Sequence, residues 1–388
     1  MHTSAVIRKE FDKNDGIFRL RPNFIAYKFS KPGFRLKLHP DDYYGFGMKN
    51  GAIKERLLAS VMSRPNYIDT DEAQIPLTDA VSELGEGLIG PKLMADHGTW
   101  PMHAKFFDYG EPLFHHIHLD FKAAKLIGQA GKPEAYYYPP QMNNYAGTFP
   151  HTYFGFDPST TKEEVAARLK EFDTMDTRIT ELSRAFRLEL GTGWYVPPGV
   201  LHAPGSYCTY EPQWNSSSGA VYQNVVAGEV FSRDGIDNSC PEDKKGDMDY
   251  IMSLLDWEIN VEPNFKEKYF RKPVTKTDQE THTEKWITYN NIYFSATELT
   301  IHPGKTVTIK DEAAYGCVFV QGHGKFGAYD AETPIMIRLG QRTSDEYFVS
   351  EKAAKAGVTI TNPSEFEPIV ILKHFADNNL HYTRFHKE

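Results

Sequence analysis

Cysteine is scarce in this chain: Cys208, Cys240 and Cys317 stand far apart and in no paired motif. That spacing excludes a disulfide framework and a thiolate zinc knot, and it makes a reducing compartment the expected setting. No apolar run approaches the roughly 18 residues that a membrane-spanning helix needs. The opening residues, Met1 to Glu10, run into charge without an apolar segment. A cytoplasmic protein without a membrane partner is therefore expected. Clusters of Lys and Arg are missing too. With a formal charge of -9 the chain offers no basic surface for a polyanion, so nucleic acid is excluded as a partner and a small molecule is expected. The oligomeric state is left open by the sequence.

What is present suits a folded β protein. The 388 residues are 40% apolar and 13% aromatic, enough to fill the cores of two or three domains. Residues 1 to about 100 mix strand-like pieces at Phe24–Tyr27 and Phe34–Leu38 with an expected helix over Lys54–Met62. From Ala104 onward short runs of Phe, Tyr, Val and Ile are bounded by Gly, Pro and Asn, the texture of a barrel or sandwich. A helical insertion interrupts this texture. Thr160-Thr161-Lys162-Glu163 offers a capping box, and Val165, Leu169 and Phe172 continue at helical spacing, with Ile179, Leu182 and Phe186 as a second short run. A helix is expected near Asp249–Leu255, and the polar stretch from Asn264 to Thr283 reads as a connector. Beyond it, strands are expected at Ile292–Phe294, Thr297–Ile301, Thr306–Ile309, Gly316–Val320, Ile335–Ile337 and Ile369–Leu372. The division expected is residues 1–262 and 263–388.

Chemistry concentrates in the first part. On a strand, His116-Ile117-His118 turns both imidazoles to one face and Ile117 to the other. A carboxylate from the next strand and a histidine from a returning strand would complete a nitrogen and oxygen site for a divalent cation. Lys132-Pro133-Glu134 and the turn Pro197-Pro198-Gly199-Val200-Leu201-His202 supply the residue types. Together they follow the ligand logic of a cupin barrel. His115 has the opposite parity and is expected to be structural, as is His39; His151 is expected in a turn or packing role. The second half has no comparable set: Lys310-Asp311-Glu312-Ala313-Ala314 and Val358-Thr359-Ile360-Thr361-Asn362 contain no histidine.

At these residues the chain resembles the type I mannose-6-phosphate isomerases of the cupin superfamily. Trp100-Pro101-Met102-His103-Ala104-Lys105 looks like that family's Leu-Pro-x-x-x-Lys strand, and Pro112 to Asp120 is similar to its Leu-Ser-x-Gln-x-His-Pro-Asp motif. Lys132-Pro133-Glu134, Gly155-Phe156-Asp157-Pro158 and Gly193 to Ala203 continue the likeness, which covers residues 95 to 230 well and the C-terminal part loosely. The resemblance implies a mainly β bicupin, two double-stranded β-helix jelly-roll barrels with a small helical insertion, whose second barrel is degenerate. It also places His118, Glu134 and His202 on metal-ligand positions, with His116 where the family has glutamine. Zinc is the cofactor expected, and manganese, iron, cobalt and nickel suit the same donors. Glu211 falls near an acidic residue of the family. The arginine that follows in the family has no counterpart, because the region reads Ala220-Val221-Tyr222-Gln223-Asn224.

The activity implied is aldose–ketose isomerisation of a sugar or sugar phosphate. A proton leaves the carbon beside a carbonyl and returns to its neighbour, and a divalent cation chelated by the two oxygens would stabilise the enediolate. Lys132 and Glu211 are the side chains expected to transfer the proton or to recognise hydroxyls. Tyr136 and Tyr138 share the parity of Glu134 and would line the pocket or fill the barrel. A cupin oxygenase and a non-catalytic carbohydrate-binding bicupin are the alternatives.

Overall fold

The computed structural model describes residues 2–72, 74–145 and 147–383. Antiparallel β-sheets dominate it. Strands Phe270–Arg271, Gly193–Val196, Glu134–Tyr137, Thr209–Trp214, Met102–Phe107, Ala52–Leu58 and Asn23–Tyr27 form one seven-stranded sheet in that order. A five-stranded sheet, Ser183–Arg187, His151–Phe156, His202–Ala203, His116–Ile117 and Ala220–Val221, faces it. Alternation decides what lies between them. From strand Glu134–Tyr137, Glu134 and Tyr136 point into the gap, while Ala135 and Tyr137 enter cores on the other side. Strand Thr209–Trp214 likewise sends Glu211 and Gln213 inward and Tyr210 and Trp214 outward.

Phe107, Tyr109, Tyr136, Tyr138, Phe154, Trp194 and Phe265 close one end of the gap as an aromatic core. On the outer face of the smaller sheet Ile117, Phe156 and Leu201 pack under the helical insertion through Val165 and Leu169. The inserted helix runs Lys162–Lys170, and its capping box is Thr161 with Glu164, one residue later than expected, since Thr161 is the residue with extended backbone. Phe186 belongs to strand Ser183–Arg187 rather than to a helical run. The expected helix near Asp249–Leu255 is Met248–Ser253.

The C-terminal half pairs a second seven-stranded sheet with a four-stranded one, Thr306–Ile309, Val358–Thr361, His323–Phe326 and Tyr329–Glu332. Phe319, Phe326, Tyr347, Ile360 and Ile371 fill the space between them. The two large sheets share a core in which Phe106, Tyr137 and Tyr210 meet Ala296, Val318 and Leu372. Sequence order is crossed at both ends. Ile17–Arg19 pairs with Glu346–Val349 of the C-terminal sheet, and Phe270–Arg271, beyond residue 262, pairs with Gly193–Val196 of the first.

Several local expectations give way to tertiary pairing. Lys54–Met62 is not a helix: Ala52–Leu58 is a fully buried strand held between Asn23–Tyr27 and Met102–Phe107. Lys-Glu-Arg-Leu-Leu has high helix propensity, but propensity is a weak prior against two hydrogen-bonded neighbours. Phe34–Leu38 forms no strand, because Phe34 and Lys37 adopt positive φ of 63° and 59°. Ile292–Phe294 is a turn closed by Asn291. Ile335–Ile337 retains only an isolated bridge from Ile337 to Leu38. The expected connector is structured, with helix Phe265–Tyr269 followed by strands Phe270–Arg271 and Val274–Asp278.

Candidate metal centre

His116, His118 and His202 form a cluster in which one ligand atom from each lies within 4.8 Å of the others. Strand pairing makes it: His202 is the direct partner of His116, and His118 stands one residue past the end of strand His116–Ile117. The imidazole centroids are 4.1 Å apart for His116 and His202, and 5.1 Å for His116 and His118. The returning turn is anchored to the cluster. Gly199, with φ of 77°, donates its N–H to the His118 carbonyl at 2.7 Å, and Asn260 donates to the Gly199 carbonyl at 2.7 Å while accepting from Leu201 N at 2.8 Å.

Each imidazole has a defined tautomer. Nδ1 of His116, His118 and His202 lies 3.0, 2.8 and 2.8 Å from the carbonyls of Phe114, Ser218 and Val200. A carbonyl only accepts, so each Nδ1 carries a proton, and Nε2 is the ring atom that a neutral imidazole would offer to a cation. Burial, then the neighbouring histidines, pushes His116 well below the usual imidazole range, and burial with Lys132 brings His118 to about 4. Backbone carbonyls that orient imidazoles in this way are the usual outer support of a metal ligand.

Glu134 meets this face. Its Oε2 lies 3.0 Å from His118 Nε2 and its Oε1 3.2 Å from His202 Nε2. For His118, lowered to about 4 and with its proton on Nδ1, this sets a lone pair against a carboxylate oxygen. His202 Nε2 is buried without a hydrogen-bond partner, while Glu134 Oε2 has the Lys132 ammonium beside it. Such a donor set calls for a cation, and three imidazoles with one carboxylate fit a divalent transition metal. Lys132 already brings positive charge to the edge of the cluster, its Nζ 2.9 Å from His118 Nε2 and 3.0 Å from Glu134 Oε2. Burial works to raise Glu134, but Lys132 and His118 outweigh it and hold the carboxyl well below its usual range. Tyr136 donates its hydroxyl to Glu134 Oε1 at 2.7 Å.

The cluster opens into a cavity of about 460 Å³. Along its wall carboxylates and ammoniums alternate. Lys132 is 3.9 Å from Glu211, Lys105 is 3.4 Å from Glu211, and Lys105 is 2.9 Å from Glu55. Glu55 also accepts from the hydroxyls of Tyr27 at 3.0 Å and Tyr109 at 2.9 Å. Burial, then the charge of Glu134, raises Glu211 to about 8 against the pull of the two lysines.

All six residues singled out in the sequence, His116, His118, Lys132, Glu134, His202 and Glu211, are thus brought together. Tyr136 lines the cavity, whereas Tyr138 fills the aromatic core. His115 is buried apart, its Nδ1 2.8 Å from Gln223 Oε1; His39 caps a short turn; His151 lies on a strand of the smaller sheet. Glu55, His103, Lys105 and Gln213 are cavity residues that the sequence reading left unassigned. Alternation through Met102–Phe107 and Thr209–Trp214 would have found three of them; Glu55 was hidden inside the expected helix.

No protein-family model matches the chain, and no curated protein sequence matches it. Solved structures do. Mannose 6-phosphate isomerase from Bacillus subtilis superposes with a TM-score of 0.64 at 16% identity, covering 92% of this chain and 99% of the other. A zinc-bound mannose 6-phosphate isomerase gives a TM-score of 0.65 at 10% identity, over 93% and 99%. A variant of phosphomannose isomerase from Salmonella typhimurium gives 0.64 at 10% identity over the same shares. At these identities the likeness is one of fold.

Proposed function

We propose that this chain is a metal-dependent aldose–ketose isomerase built as a bicupin, with the site in the barrel of the N-terminal half and a supporting barrel in the C-terminal half. The observation that carries the reading is the convergence of three imidazoles and the Glu134 carboxylate beside Lys132 and Glu211 in one cavity. The shared fold with structures described as mannose 6-phosphate isomerases supports it.

His116, His118, His202 and Glu134 would hold the cation, zinc by preference. When bound, it supplies Lewis-acid stabilisation of negative charge on adjacent sugar oxygens. The chain's own residues do the rest. Glu211 in its ionised form is placed to take the proton from one carbon and return it to the neighbouring one, while the Lys132 ammonium donates to the sugar oxygens. Lys105 and Glu55 orient Glu211 from behind, and Tyr27, Phe29 and Phe114 wall the cavity with aromatic surface.

The test is an aldose and ketose panel assayed anaerobically with the zinc-loaded chain and its Glu134→Ala variant, with metal content measured in parallel. Interconversion by the parent chain is expected, with zinc retention and turnover both reduced at least about 100-fold in the variant, since a ligand is lost rather than an outer partner. Undiminished turnover in Glu134→Ala refutes the assignment.

A further inference from the structure

The cavity's cations are already spoken for. Lys105 is engaged by Glu55 and Glu211, and Lys132 by Glu134 and Glu211, so three carboxyl groups face two ammoniums. A phosphate dianion is recognised by cations or by N–H groups free to turn to it, most strongly by the fork of an arginine. Among the described lining residues only Arg64 is an arginine, and it stands exposed at the rim. Opposite the carboxylates the wall continues through Gly219, Ala220 and Val221 with no charge at all. A phosphate placed deep in the cavity, away from the histidine cluster, would meet Glu55 and Glu211 without an uncommitted positive side chain, and burying such a charge unpaired is costly.

An uncharged polyol meets the opposite situation. Carboxyl oxygens of Glu55 and Glu211, the amide of Gln213 and the ammoniums of Lys105 and Lys132 offer mixed donors and acceptors for hydroxyl groups. Tyr27 and Phe29 stack at 5.1 Å, and Phe114 stands edge-on to Phe29 at 5.4 Å, a surface suited to the C–H face of a sugar ring. The cavity volume of about 460 Å³ lies within the range of small-molecule sites.

We infer that the site takes an unphosphorylated monosaccharide and discriminates against sugar phosphates. The inference rests on the sugar chemistry proposed for the same site, and binding separates the two. Calorimetric titration of the full chain, metal-free and zinc-loaded, would compare glucitol, glucitol 6-phosphate and inorganic phosphate, alongside turnover of mannose and mannose 6-phosphate. Saturable glucitol binding at least 10-fold tighter than that of its phosphate is expected, unchanged in Arg64→Ala. Tighter binding of the phosphate, lost in Arg64→Ala, would overturn the inference, as would turnover of mannose 6-phosphate alone, although that turnover would leave the isomerase reading intact. Glucitol binding with no turnover of either sugar would support the inference while removing the isomerase reading. Binding of neither glucitol nor its phosphate would overturn it.

Discussion

At the scale of single residues, the candidate centre depends on groups that would not themselves hold a cation yet decide how its ligands are set. Three backbone carbonyls select the tautomers of His116, His118 and His202. Tyr136 does the corresponding work for Glu134, with its hydroxyl on Oε1. A Tyr136→Phe exchange removes that donor and little volume. Zinc affinity, measured by competition with a chelator, is expected to fall about 10- to 100-fold while the melting temperature stays close to the parent's. Unchanged affinity would show that Glu134 is positioned by the strand alone. Neither Tyr136 nor Lys105 announces such a role in sequence, because an aromatic or a lysine on a β-strand has many ordinary uses.

At the scale of elements, the turn Pro197-Pro198-Gly199-Val200 is the most constrained piece of the site. Positive φ at Gly199 is easy only for glycine, and a Cβ there would stand 2.9 Å from Asp256 N. Gly199→Ala is expected to cost about 1–3 kcal/mol in chemical denaturation and to weaken zinc binding, because His202 leaves this turn three residues later. Stability loss without any change in zinc affinity would uncouple the turn from the site. Pro-Pro-Gly identifies this turn directly in sequence. The strand Ala52–Leu58 is the contrary case: its helix-forming residues are overruled by Lys54 donating to the carbonyls of Tyr27 at 2.6 Å and Ser30 at 3.0 Å, and by Arg56 pairing with Asp345 at 2.8 Å. Partners so far away in sequence leave no local trace.

For the whole molecule, buried charge and buried neutral imidazoles set how the two halves hold together. In the C-terminal half, whose described residues form no histidine set, the Lys373 ammonium is buried between Glu284 at 2.7 Å and Asp311 at 2.8 Å. Lys373→Met strands both carboxylates with Lys276 alone, and a loss of about 3–5 kcal/mol is expected in urea denaturation; an unchanged midpoint would contradict the network's role. Between the large sheets, burial lowers His374, paired with the Tyr210 hydroxyl at 2.8 Å, to about 3. Folded His374 is therefore neutral from pH 6.5 down to about 3, while the unfolded chain takes up a proton below 6.5, so its contribution to stability falls as pH falls through that window. Glu346, raised by burial to about 7, acts in the other direction between 4.5 and 7. The histidine's part is read as a difference: relative to His374→Gln, the parent chain is expected to lose about 2 kcal/mol between pH 7 and pH 5. A constant difference would show that His374 titrates normally.

The candidate metal-ligand half of the site was written in local sequence, because His-x-His, Lys-Pro-Glu and Pro-Pro-Gly-x-x-His each impose their geometry over a few residues: alternation on a strand, or a turn with one permitted backbone. Short β runs and their turn residues likewise determined that the chain is mainly β. What only the tertiary structure decided was the rest of the cavity and the crossing of the halves. Glu55 faces Lys105, Ile17–Arg19 joins a sheet some 330 residues away in the chain, and Phe270–Arg271 stays with the first sheet. These pairings are chosen by long-range hydrogen bonds and burial, whose free energy exists only once distant strands are side by side, so no window of sequence contains it.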